Sequence, residues 1–396
     1  MSTEQTGQDI VIVAAKRTPM GGFQGALSEV ASPLLAATAI KGLLAQTGIN
    51  ENAVDEVLMG CVLPAGLGQA PARQATLGAG LPFSVGATTV NKVCGSGMKS
   101  VMLAHDLIKA GSSNVVIAGG MENMSQAPYL LDKARGGMRM GHGKVLDHMF
   151  LDGLEDAYSG GAMGTFAQKT ADEFGITREQ MDAFSLASLD KANGAIQSGA
   201  FKDEVVPVNI STRRGDVTVD TDEQPGNARP EKIPTLRPAF TQDGTITAAN
   251  SSSISDGAAA LMLMTRDTAQ QFGLSVLATI KGHTTHSQEP SMFTTAPVGA
   301  IQKLFDKVQW NKEDVDLYEI NEAFAMVTML AISELGLDAN KVNVNGGACA
   351  LGHPIGCSGA RLLVTLIYAL KVRGLKRGVA SLCIGGGEAT AMAIEV

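Results

Sequence analysis

Apolar runs alternate with helix-like segments over roughly the first third of the chain. Short runs rich in β-branched residues predict buried strands, and these runs occupy residues 9–15, 57–62 and 114–120. Apolar residues at helical spacing lie between the runs and predict helices over 33–46, 71–79 and 97–110. Strands without a polar face that alternate with helices indicate an α/β fold with a covered sheet.

The pattern changes between residues 124 and 251, where charge, turns and irregular sequence increase. Two stretches here, RGGMRMGHGK and TDEQPGNARPEKIP, show neither the strand nor the helix periodicity of apolar residues. Helical spacing returns only over 163–174 and 177–194. We therefore expect an inserted loop domain over 124–251, partly helical and outside the sheet. Strand-like sequence resumes with SDGAAALMLM at residues 255–264.

The last third of the chain repeats a pattern of the first. Residues 94–111 and 356–374 both run from a glycine-rich turn through a helix to a glycine, and each precedes an apolar strand. Aligning Ser96-Gly97 with Ser358-Gly359 places Cys94 opposite Gly356. We expect two similar halves facing each other across a cleft, formed by residues 1–123, completed by about 252–275, and by residues 276–396. A chance likeness between two glycine-bounded helices is the alternative.

Composition narrows the class of protein. The 396 residues are 45% hydrophobic, 18% charged and 4% aromatic, with a formal net charge of −8, which excludes the basic surface and stacking platforms of a nucleic-acid-binding protein. The five cysteines are widely spaced without a CxxC pair, which argues against disulfides and a cysteine zinc site and favours a reducing compartment. MSTEQTGQ resembles neither a signal nor a transit peptide, and no apolar run approaches the ~20 residues of a membrane span. We therefore expect a cytoplasmic protein without membrane or nucleic-acid partners.

VNKVCGSGMKS, residues 90–100, puts Cys94 in a glycine turn at the expected start of a helix. Unpaired backbone N–H groups and the positive end of the helix dipole favour a thiolate there, and the glycines leave the sulfur approachable. This arrangement predicts a nucleophilic cysteine. A small cysteine packed at a helix start is the alternative that the motif alone leaves open.

Three further polar side chains occupy turns or strand ends in the last third. His353 lies within NGGACALGHPIGCSGAR, before the second of the repeated helices, where it could take the proton of Cys94. Cys383 ends an apolar strand in LCIGGGEAT and could act as an acid or base. Asn321 in YEINEAFA follows a strand and opens a helix, where it could hold a water or simply cap the helix. For His353 the structural alternative is a turn histidine bonded to backbone groups, and for Cys383 it is a cysteine of the core.

VNKVCGSGMKS, NEAFA, NGGACALGHPIGCSGAR and CIGGG together resemble the four signature blocks of the thiolase family, in the family's order. The resemblance extends over essentially the whole chain, including TITAANSSSISDGAAA. It implies the thiolase fold, an α/β fold of two pseudo-symmetric layered α/β/α/β/α halves with an inserted loop domain that covers the coenzyme A site. It further implies a homotetramer, a dimer of dimers, that acts on acyl-CoA substrates without a permanently bound cofactor or a metal.

The resemblance also implies a reaction and a role for each catalytic residue. The reaction is a reversible Claisen condensation of two acetyl-CoA to acetoacetyl-CoA plus CoA, through a cysteine acyl-enzyme. Cys94 is expected as the nucleophile, and His353 as its activator and one side of an oxyanion hole that a water on Asn321 completes. Cys383 is expected to exchange the proton at the α-carbon. The backbone N–H groups of Cys94 and Gly385 are expected to form a second oxyanion hole.

Matching positions imply contacts along the substrate as well. The expected acyl-CoA contacts are Leu154, Met163, Ala248, Ser252, Phe293 and Phe324. Four basic residues are candidates for contacts with the nucleotide phosphates of CoA, although a solvated basic face explains them equally well. They are Arg213, Arg214, Arg229 and Lys232.

Two positions depart from the short-chain biosynthetic members of the family. Ala162 stands where histidine is common before Met-Gly, and Phe293 stands where a pocket methionine is expected, next to Met292. Both differences concern the acyl-binding side, so a broader 3-ketoacyl-CoA thiolase of fatty-acid degradation is the alternative to a two-carbon specialist. A non-catalytic acyl-CoA-binding protein is less favoured, because none of the four catalytic side chains is missing. Ketoacyl and hydroxymethylglutaryl-CoA synthases place histidine or glutamate at the position of Cys383, which argues against them.

Overall fold

The structure is a computed structural model that describes residues 8–213 and 215–396. A large sheet is built from strands on both sides of the middle region. They are β1 (Ile10–Arg17), β2 (Gly21–Gly22), β3 (Glu56–Gly60), β4 (Gly86–Val90), β5 (Val115–Asn123), β10 (Ser255–Thr265), β11 (Ala278–Ser287), β12 (Leu317–Ile320), β13 (Arg377–Ile384) and β14 (Glu388–Glu395). The intervening strands pair only in two short hairpins, which are β6 (Tyr129–Leu130) with β7 (Leu146–Asp147) and β8 (Val208–Thr212) with β9 (Gly215–Val219).

The helices of the described chain lie between and around these strands. They are α1 (Ser32–Thr47), α2 (Pro71–Gly78), α3 (Ser96–Lys109), α4 (Met163–Glu173), α5 (Arg178–Ser198), α6 (Glu223–Asn227), α7 (Arg266–Gln271), α8 (Ala296–Val308), α9 (Ala325–Leu335), α10 (Ala348–Leu351) and α11 (Ser358–Arg373). Within the ranges that the structure describes, we find no helix with both the length and the apolar character needed to cross a membrane.

The order of strands in the large sheet reveals an internal repeat. The order is β4-β3-β5-β10-β1-β11-β14-β13-β12, with β2 paired to β10. β3 is parallel to β5, and β5, β10 and β1 follow in antiparallel pairs. β12 is parallel to β13, and β13, β14 and β11 also follow in antiparallel pairs. The two four-strand sets therefore have the same pattern, and they meet where Val11 pairs with Thr279 and Ile12 with Ala278.

The helices cover the sheet in layers. α1 packs on β1 and β10, and α8 packs on β11, β13 and β14. α3 and α11 contact each other and lie between the two strand sets, α3 against β3 and β5, α11 against β12 and β13. Neighbouring residues of one strand therefore face different cores: Val11 packs beneath α1, whereas Ile12 packs beside α3 and α11. The α/β layering predicted from the sequence is confirmed, while the division into inserted domain and halves stays a prediction.

The two central helices cross at glycines. A Cβ on Gly359 would lie 2.4 Å from the backbone nitrogen of Met98, and one on Gly97 would lie 2.9 Å from that of Ala360. Only glycine allows backbones to approach so closely. The first turns of α3 and α11 therefore touch, which brings the turn that carries Cys94 next to the turn that follows His353.

The prediction that β5 ends at Gly120 is wrong, because the strand continues to Asn123. A Cβ on Gly119 would lie 2.0 Å from the carbonyl oxygen of Ala259, and one on Gly120 would lie 1.9 Å from that of Gly356. These glycines permit close backbone approach inside the strand and do not terminate it.

Candidate active site

Cys94 lies in a tight turn between β4 and α3. Val93 has a φ of 46°, which is rare for a β-branched residue. Two backbone hydrogen bonds of 3.0 Å close the turn: the Gly95 N–H donates to the Lys92 carbonyl, and the Ser96 N–H donates to the Val93 carbonyl. The Ser96 hydroxyl also accepts from the Lys92 N–H at 2.8 Å and donates to the Val93 carbonyl at 2.6 Å. Strained backbone that is held by several bonds is characteristic of functional sites.

The environment of the Cys94 sulfur disfavours ionisation. Burial raises the pKa of the thiol to about 11, although the backbone N–H groups of Gly385 and of Cys94 itself lower it. The N–H groups at the start of α3 lower the pKa of the thiol, as the motif predicts, but desolvation outweighs them in the free site. A neighbouring base has to take the proton before the sulfur can attack.

His353 supplies a neutral imidazole. Its side chain is buried, and burial together with the positive charge of Arg361 lowers the pKa of His353 to about 3. Its backbone N–H is bonded to the Ser253 carbonyl and the Ser255 hydroxyl, both at 3.2 Å. The ring therefore sits in a fixed place as an uncharged acceptor of protons.

Hydrogen bonds decide which nitrogen of His353 carries the proton. The Ser358 hydroxyl lies 3.0 Å from the Pro354 carbonyl, and we assign its proton to this bond, so that the hydroxyl accepts at the 2.5 Å contact with His353 Nδ1. Nδ1 is therefore protonated, and Nε2 presents a lone pair. The amide nitrogen of Asn321 lies 3.4 Å from Nε2 and donates towards it. Nε2 is thus the atom that can accept the proton of a thiol.

Asn321 does not open a helix, contrary to the prediction. β12 ends at Ile320, and α9 begins only at Ala325 with Phe324 as its N-cap. The backbone N–H of Asn321 instead bonds the Ser381 carbonyl of the neighbouring strand at 3.0 Å. Its side-chain oxygen is buried without a hydrogen-bond partner among the described residues. Helix capping is therefore excluded as its role, and a buried free acceptor remains beside His353.

Cys383 lies at the end of β13, directly before the glycine turn that leads into β14. Its side chain is 1% exposed, and burial and the negative charge of Cys94 raise the pKa of the Cys383 thiol well above its usual range. A Cβ on Gly95 would lie 2.3 Å from Ile384, so the Cys94 turn packs directly on this strand end. The two thiols are close enough for the charge of one to oppose ionisation of the other.

A cavity of about 410 Å³ opens in front of these groups. Cys94, His353 and Gly385 line it, whereas Asn321 and Cys383 are buried behind its wall. All six residues expected to contact acyl-CoA line the same cavity: Leu154, Met163, Ala248, Ser252, Phe293 and Phe324. Of the five cysteines, which all fall within the described residues, Cys94 alone lines it.

Several wall residues were not predicted from the sequence. Phe240 packs edge-to-face on Phe324 at 6.1 Å between ring centroids, and Phe293 packs on Phe324 at 6.5 Å. Ala162, which the sequence analysis did place on the acyl-binding side, lines the cavity directly before α4. Other apolar wall residues are Phe23, Met124, Phe150, Ala239, Ile254 and Ile355. They come from loops of irregular sequence, in which no periodicity indicates which side chains point inwards.

Glu122 is a further residue that the sequence analysis missed. Its buried carboxylate accepts the Gly356 and Val62 N–H groups, both at 2.9 Å, and the Leu63 N–H at 3.1 Å. Burial raises the pKa of Glu122 to about 7. Through these hydrogen bonds the carboxylate holds the chain segment just after His353 against the loop that follows β3. The sequence does contain a signal for Glu122, because it is a charged residue at the end of an apolar strand.

The basic candidates for the nucleotide phosphates do not line the cavity. Arg213, Arg229 and Lys232 are exposed on the turn between β8 and β9 and on the segment that follows α6. Arg214 lies outside the described residues.

Comparison with known proteins identifies the family. A family model described as "Thiolase, N-terminal domain" matches residues 10–267, and one described as "Thiolase, C-terminal domain" matches residues 274–396. The chain belongs to the thiolase family. The resemblance of the four sequence blocks is thereby confirmed.

Relatives cover the whole thiolase chain. An acetyl-CoA acetyltransferase of Pseudomonas aeruginosa is 49% identical over 389 residues, which are 98% of this chain and 99% of the relative. Acetyl-CoA acetyltransferase 2 of Arabidopsis thaliana is 50% identical over 392 residues, 98% of this chain and 97% of the relative. The crystal structure of the Bacillus anthracis acetyl-CoA acetyltransferase superimposes with a TM-score of 0.96 at 42% identity, covering 99% of this chain and 100% of that one. The predicted thiolase fold is therefore confirmed.

Proposed function

We propose that this thiolase is an acetyl-CoA C-acetyltransferase, which condenses two acetyl-CoA to acetoacetyl-CoA and CoA and catalyses the reverse thiolysis. The observation that carries the proposal is one cavity wall that combines Cys94, His353 and Gly385 with all six expected substrate contacts. The names of full-length relatives at 49% and 50% identity support the acetyl substrate.

The first half-reaction follows from the proton positions. His353 Nε2 takes the proton of Cys94, and the sulfur attacks the thioester carbonyl of acetyl-CoA. The carbonyl oxygen becomes negative and receives hydrogen bonds from the newly protonated Nε2 and from a water held by the free oxygen of Asn321. When the tetrahedral intermediate collapses, the bond to the CoA sulfur breaks and Nε2 returns the proton to that sulfur. The enzyme is left as an acetyl thioester on Cys94.

Acetylation of Cys94 prepares the second half-reaction. A thioester cannot ionise, so the acetylated Cys94 cannot place a negative charge beside Cys383. His353 Nε2, free again after CoA has taken its proton, accepts the proton of the Cys383 thiol and returns it to Cys383 at the end of the cycle. The Cys383 thiolate removes a proton from the α-carbon of the second acetyl-CoA. The resulting carbanion attacks the acetyl group, whose oxygen faces the N–H groups of Cys94 and Gly385. The bond to Cys94 breaks, and the sulfur regains a proton from Cys383.

The aromatic wall supports a short acyl group. Phe324 is held between Phe240 and Phe293 by edge-to-face contacts, and the ring of Phe293 is 3% exposed. Rings packed in this way resist displacement by a longer chain, because moving one ring disrupts its contacts with the next. Phe293 therefore limits the depth of the acyl pocket in this proposal.

The wider assignment includes an assembly and a compartment. We propose a homotetramer of cytoplasmic chains that takes part in fatty-acid metabolism and holds CoA only as substrate or product. Five free cysteines support a reducing compartment, and exposed apolar side chains around the β6–β7 hairpin support an assembly. Residues 124–251 form the inserted domain in this proposal, since Leu154, Met163 and Ala248 contribute to the cavity wall.

Half-reactions of variants test the proposal. Cys94→Ala should abolish the mass increase of one acetyl group after incubation with acetyl-CoA. Cys383→Ser should still become acetylated but should lose about 10²- to 10⁴-fold in condensation rate, because it lacks the base for the α-carbon. Mass spectrometry reports acetylation, and absorbance of acetoacetyl-CoA reports condensation. Cys349→Ser is the matched control, since Cys349 does not line the cavity, and it should keep both half-reactions.

Thiolysis of substrates of different length separates the proposal from its alternative. We expect kcat/KM to be highest for acetoacetyl-CoA and to fall for six- and eight-carbon 3-ketoacyl-CoA. Equal or higher values for the longer substrates would identify a broad-range 3-ketoacyl-CoA thiolase. Acetylation of the Cys94→Ala variant at another cysteine would refute the assigned nucleophile.

A further inference from the structure

A second group of reactive side chains lies outside the cavity, where the two halves of the sheet meet. His105 and Asp106 project from α3, and His283 projects from β11. His105 Nδ1 and Asp106 Oδ1 are 2.9 Å apart, His283 Nε2 and Asp106 Oδ1 are 3.0 Å apart, and the two ring nitrogens are 3.3 Å apart. The His105 and His283 side chains are 18% and 11% exposed, whereas Asp106 is 54% exposed. Three potential ligand atoms thus form a small triangle that is open to solvent on one side.

The contacts within this triangle are short enough for hydrogen bonds or for a shared cation. If both facing nitrogens carry hydrogen, their N–H groups converge on one oxygen of Asp106, at 2.9 Å from His105 Nδ1 and 3.0 Å from His283 Nε2. If either nitrogen is deprotonated, its lone pair faces that oxygen and the neighbouring ring nitrogen. A cation that replaces these protons accepts all three lone pairs at once.

The size of the triangle fits a transition metal. Tetrahedral zinc with bonds of about 2.0–2.1 Å places its ligand atoms about 3.3–3.4 Å apart. The observed separations of 2.9, 3.0 and 3.3 Å reach that geometry after side-chain shifts of a few tenths of an ångström. Two imidazoles and one carboxylate are a ligand set that zinc, iron, nickel and copper accept, whereas magnesium and calcium prefer oxygen alone.

We infer that His105, Asp106 and His283 form a binding site for one divalent transition-metal cation, with a fourth position open to water on the side of Asp106. Among the described residues they are the group of three His, Cys, Asp or Glu side chains whose ligand atoms all converge. The Lys307 ammonium donates to the His283 carbonyl at 2.9 Å and adds a positive charge nearby. That charge weakens the binding of every divalent cation, so the preference for a transition metal rests on the two imidazole ligands alone.

A metal here would act as a clamp and not as a catalyst. His105 lies about 14 Å along α3 from Ser96 at 1.5 Å per residue, and none of the three ligands lines the cavity. The ion would join the helix that follows Cys94 to β11, whose neighbour β14 pairs with the strand that carries Cys383. Binding to the folded chain alone raises stability by mass action. The inference therefore departs from the expectation, stated in the sequence analysis, that the protein acts without a metal.

Zinc binding to the full-length protein tests this inference. The protein is stripped of metal with a chelator, its accessible thiols are blocked with iodoacetamide, and zinc is titrated by isothermal calorimetry. We expect one zinc ion per chain and a higher Tm in its presence. Asp106→Asn is an isosteric change at a half-exposed position. This variant and His283→Gln should each weaken zinc binding at least about 10-fold. His142→Gln alters an exposed histidine of the β6–β7 connection and should bind zinc as the unaltered chain does.

The readout is binding, so it does not depend on whether the proposed enzymatic activity is correct. The inference is overturned if the thiol-blocked protein takes up no zinc. It is also overturned if Asp106→Asn and His283→Gln, with circular dichroism spectra matching that of the unaltered protein, bind zinc with unchanged affinity. Loss of binding in His142→Gln alone would assign the ion to the surface.

Discussion

The hydroxyl of Ser358 controls the chemistry of His353 without touching the cavity. It accepts the Nδ1 proton because its own proton is committed to the Pro354 carbonyl. The lone pair is thereby fixed on Nε2, which faces Asn321 and, in the proposed mechanism, the thiol of Cys94. Ser358 is thus a positioning residue, and its effect should appear in the rate of proton transfer.

Replacing Ser358 by alanine should slow acetylation of Cys94. Without the acceptor, the proton distributes between the two nitrogens, and one hydrogen bond worth about 0.5–1.5 kcal/mol corresponds to a loss of about 2- to 13-fold. Stopped-flow measurement of CoA release gives the acetylation rate. Ser100→Ala removes the same kind of hydroxyl-to-carbonyl bond from α3 and serves as the control. Equal acetylation rates in Ser358→Ala and the unaltered protein would contradict the tautomer assignment.

The raised pKa of Cys94 predicts an unusual pH dependence of alkylation. The thiolate is the reactive form, and its fraction grows tenfold per pH unit until the pH passes the pKa. Because burial raises the pKa to about 11, the rate of carbamidomethylation should still be rising between pH 8 and 10. Peptide mass spectrometry of Cys94 after timed exposure to iodoacetamide measures this rate. A plateau below pH 8 would mean that a neighbouring positive charge stabilises the thiolate in the free enzyme.

The motif around Cys94 reveals only one of the two effects on the pKa of its thiol. The N–H groups of a helix start lower this pKa, and they can be read from the local sequence. Desolvation raises it, and desolvation depends on chain segments far away, such as the strand end at Ile384 that packs on Gly95. Ser358 could have been noticed, since it is a hydroxyl five residues after His353 at the start of a helix. Its bond to Nδ1 could not be predicted, because that bond depends on the turn at Pro354.

At the level of elements, the crossing of α3 and α11 places the two halves of the site. Gly359 in α11 and Gly97 in α3 allow contact of the helix backbones. Each helix begins directly after a turn that belongs to the site. Widening the crossing would therefore move Cys94 relative to His353.

Gly359→Ala should lower both stability and activity. The added carbon would lie 2.4 Å from the Met98 nitrogen, and a backbone atom cannot give way as a flexible side chain does. Overpacking of this kind costs about 1–3 kcal/mol. Urea denaturation followed by circular dichroism measures the loss, and thiolysis of acetoacetyl-CoA measures the displacement of the site.

Gly194→Ala is the matched control for this prediction. Gly194 lies within α5, and a Cβ there would meet no atom within 4 Å. Alanine should therefore stabilise the helix by about 0.5–1 kcal/mol. If Gly359→Ala behaved like Gly194→Ala, the close crossing would not limit the packing of the two helices.

Most elements could be predicted from periodicity, and the failures have identifiable causes. The helix expected over 97–110 is observed as Ser96–Lys109, because a sustained apolar stripe defines a helix well. The apolar run predicts an end of β5 at Gly120 and misses the last residues of the strand, because Gly119 and Gly120 resemble a turn in sequence although close backbone neighbours from other segments require them. Asn321 was placed at a helix start because the four residues before Ala325 contain no marker of non-helical conformation.

At the level of the molecule, the repeat in the sequence predicted the cleft but not its walls. The alignment of Ser96-Gly97 with Ser358-Gly359 corresponds to the observed crossing of α3 and α11. Of the aromatic wall, the family resemblance predicts Phe293 and Phe324, whereas Phe240 comes from a segment without a recognisable pattern. The same holds for His105 and His283, which are 178 residues apart in sequence and adjacent in space.

The proposed tetramer gives a purpose to an exposed apolar segment around β6 and β7. Met140 is 97% exposed and Val145 is 62% exposed. Exposure of neighbouring apolar side chains to water is unfavourable in an isolated chain and is typical of an interaction surface. Changing both to lysine should prevent burial of this segment between subunits, so sedimentation velocity should give a smaller assembly than the four chains expected for the unaltered protein. Val372→Lys, on the exposed end of α11, is the control and should leave the assembly intact. An unaltered protein that sediments as a single chain would refute the tetramer. Four chains in the double variant would exclude this segment from the interface.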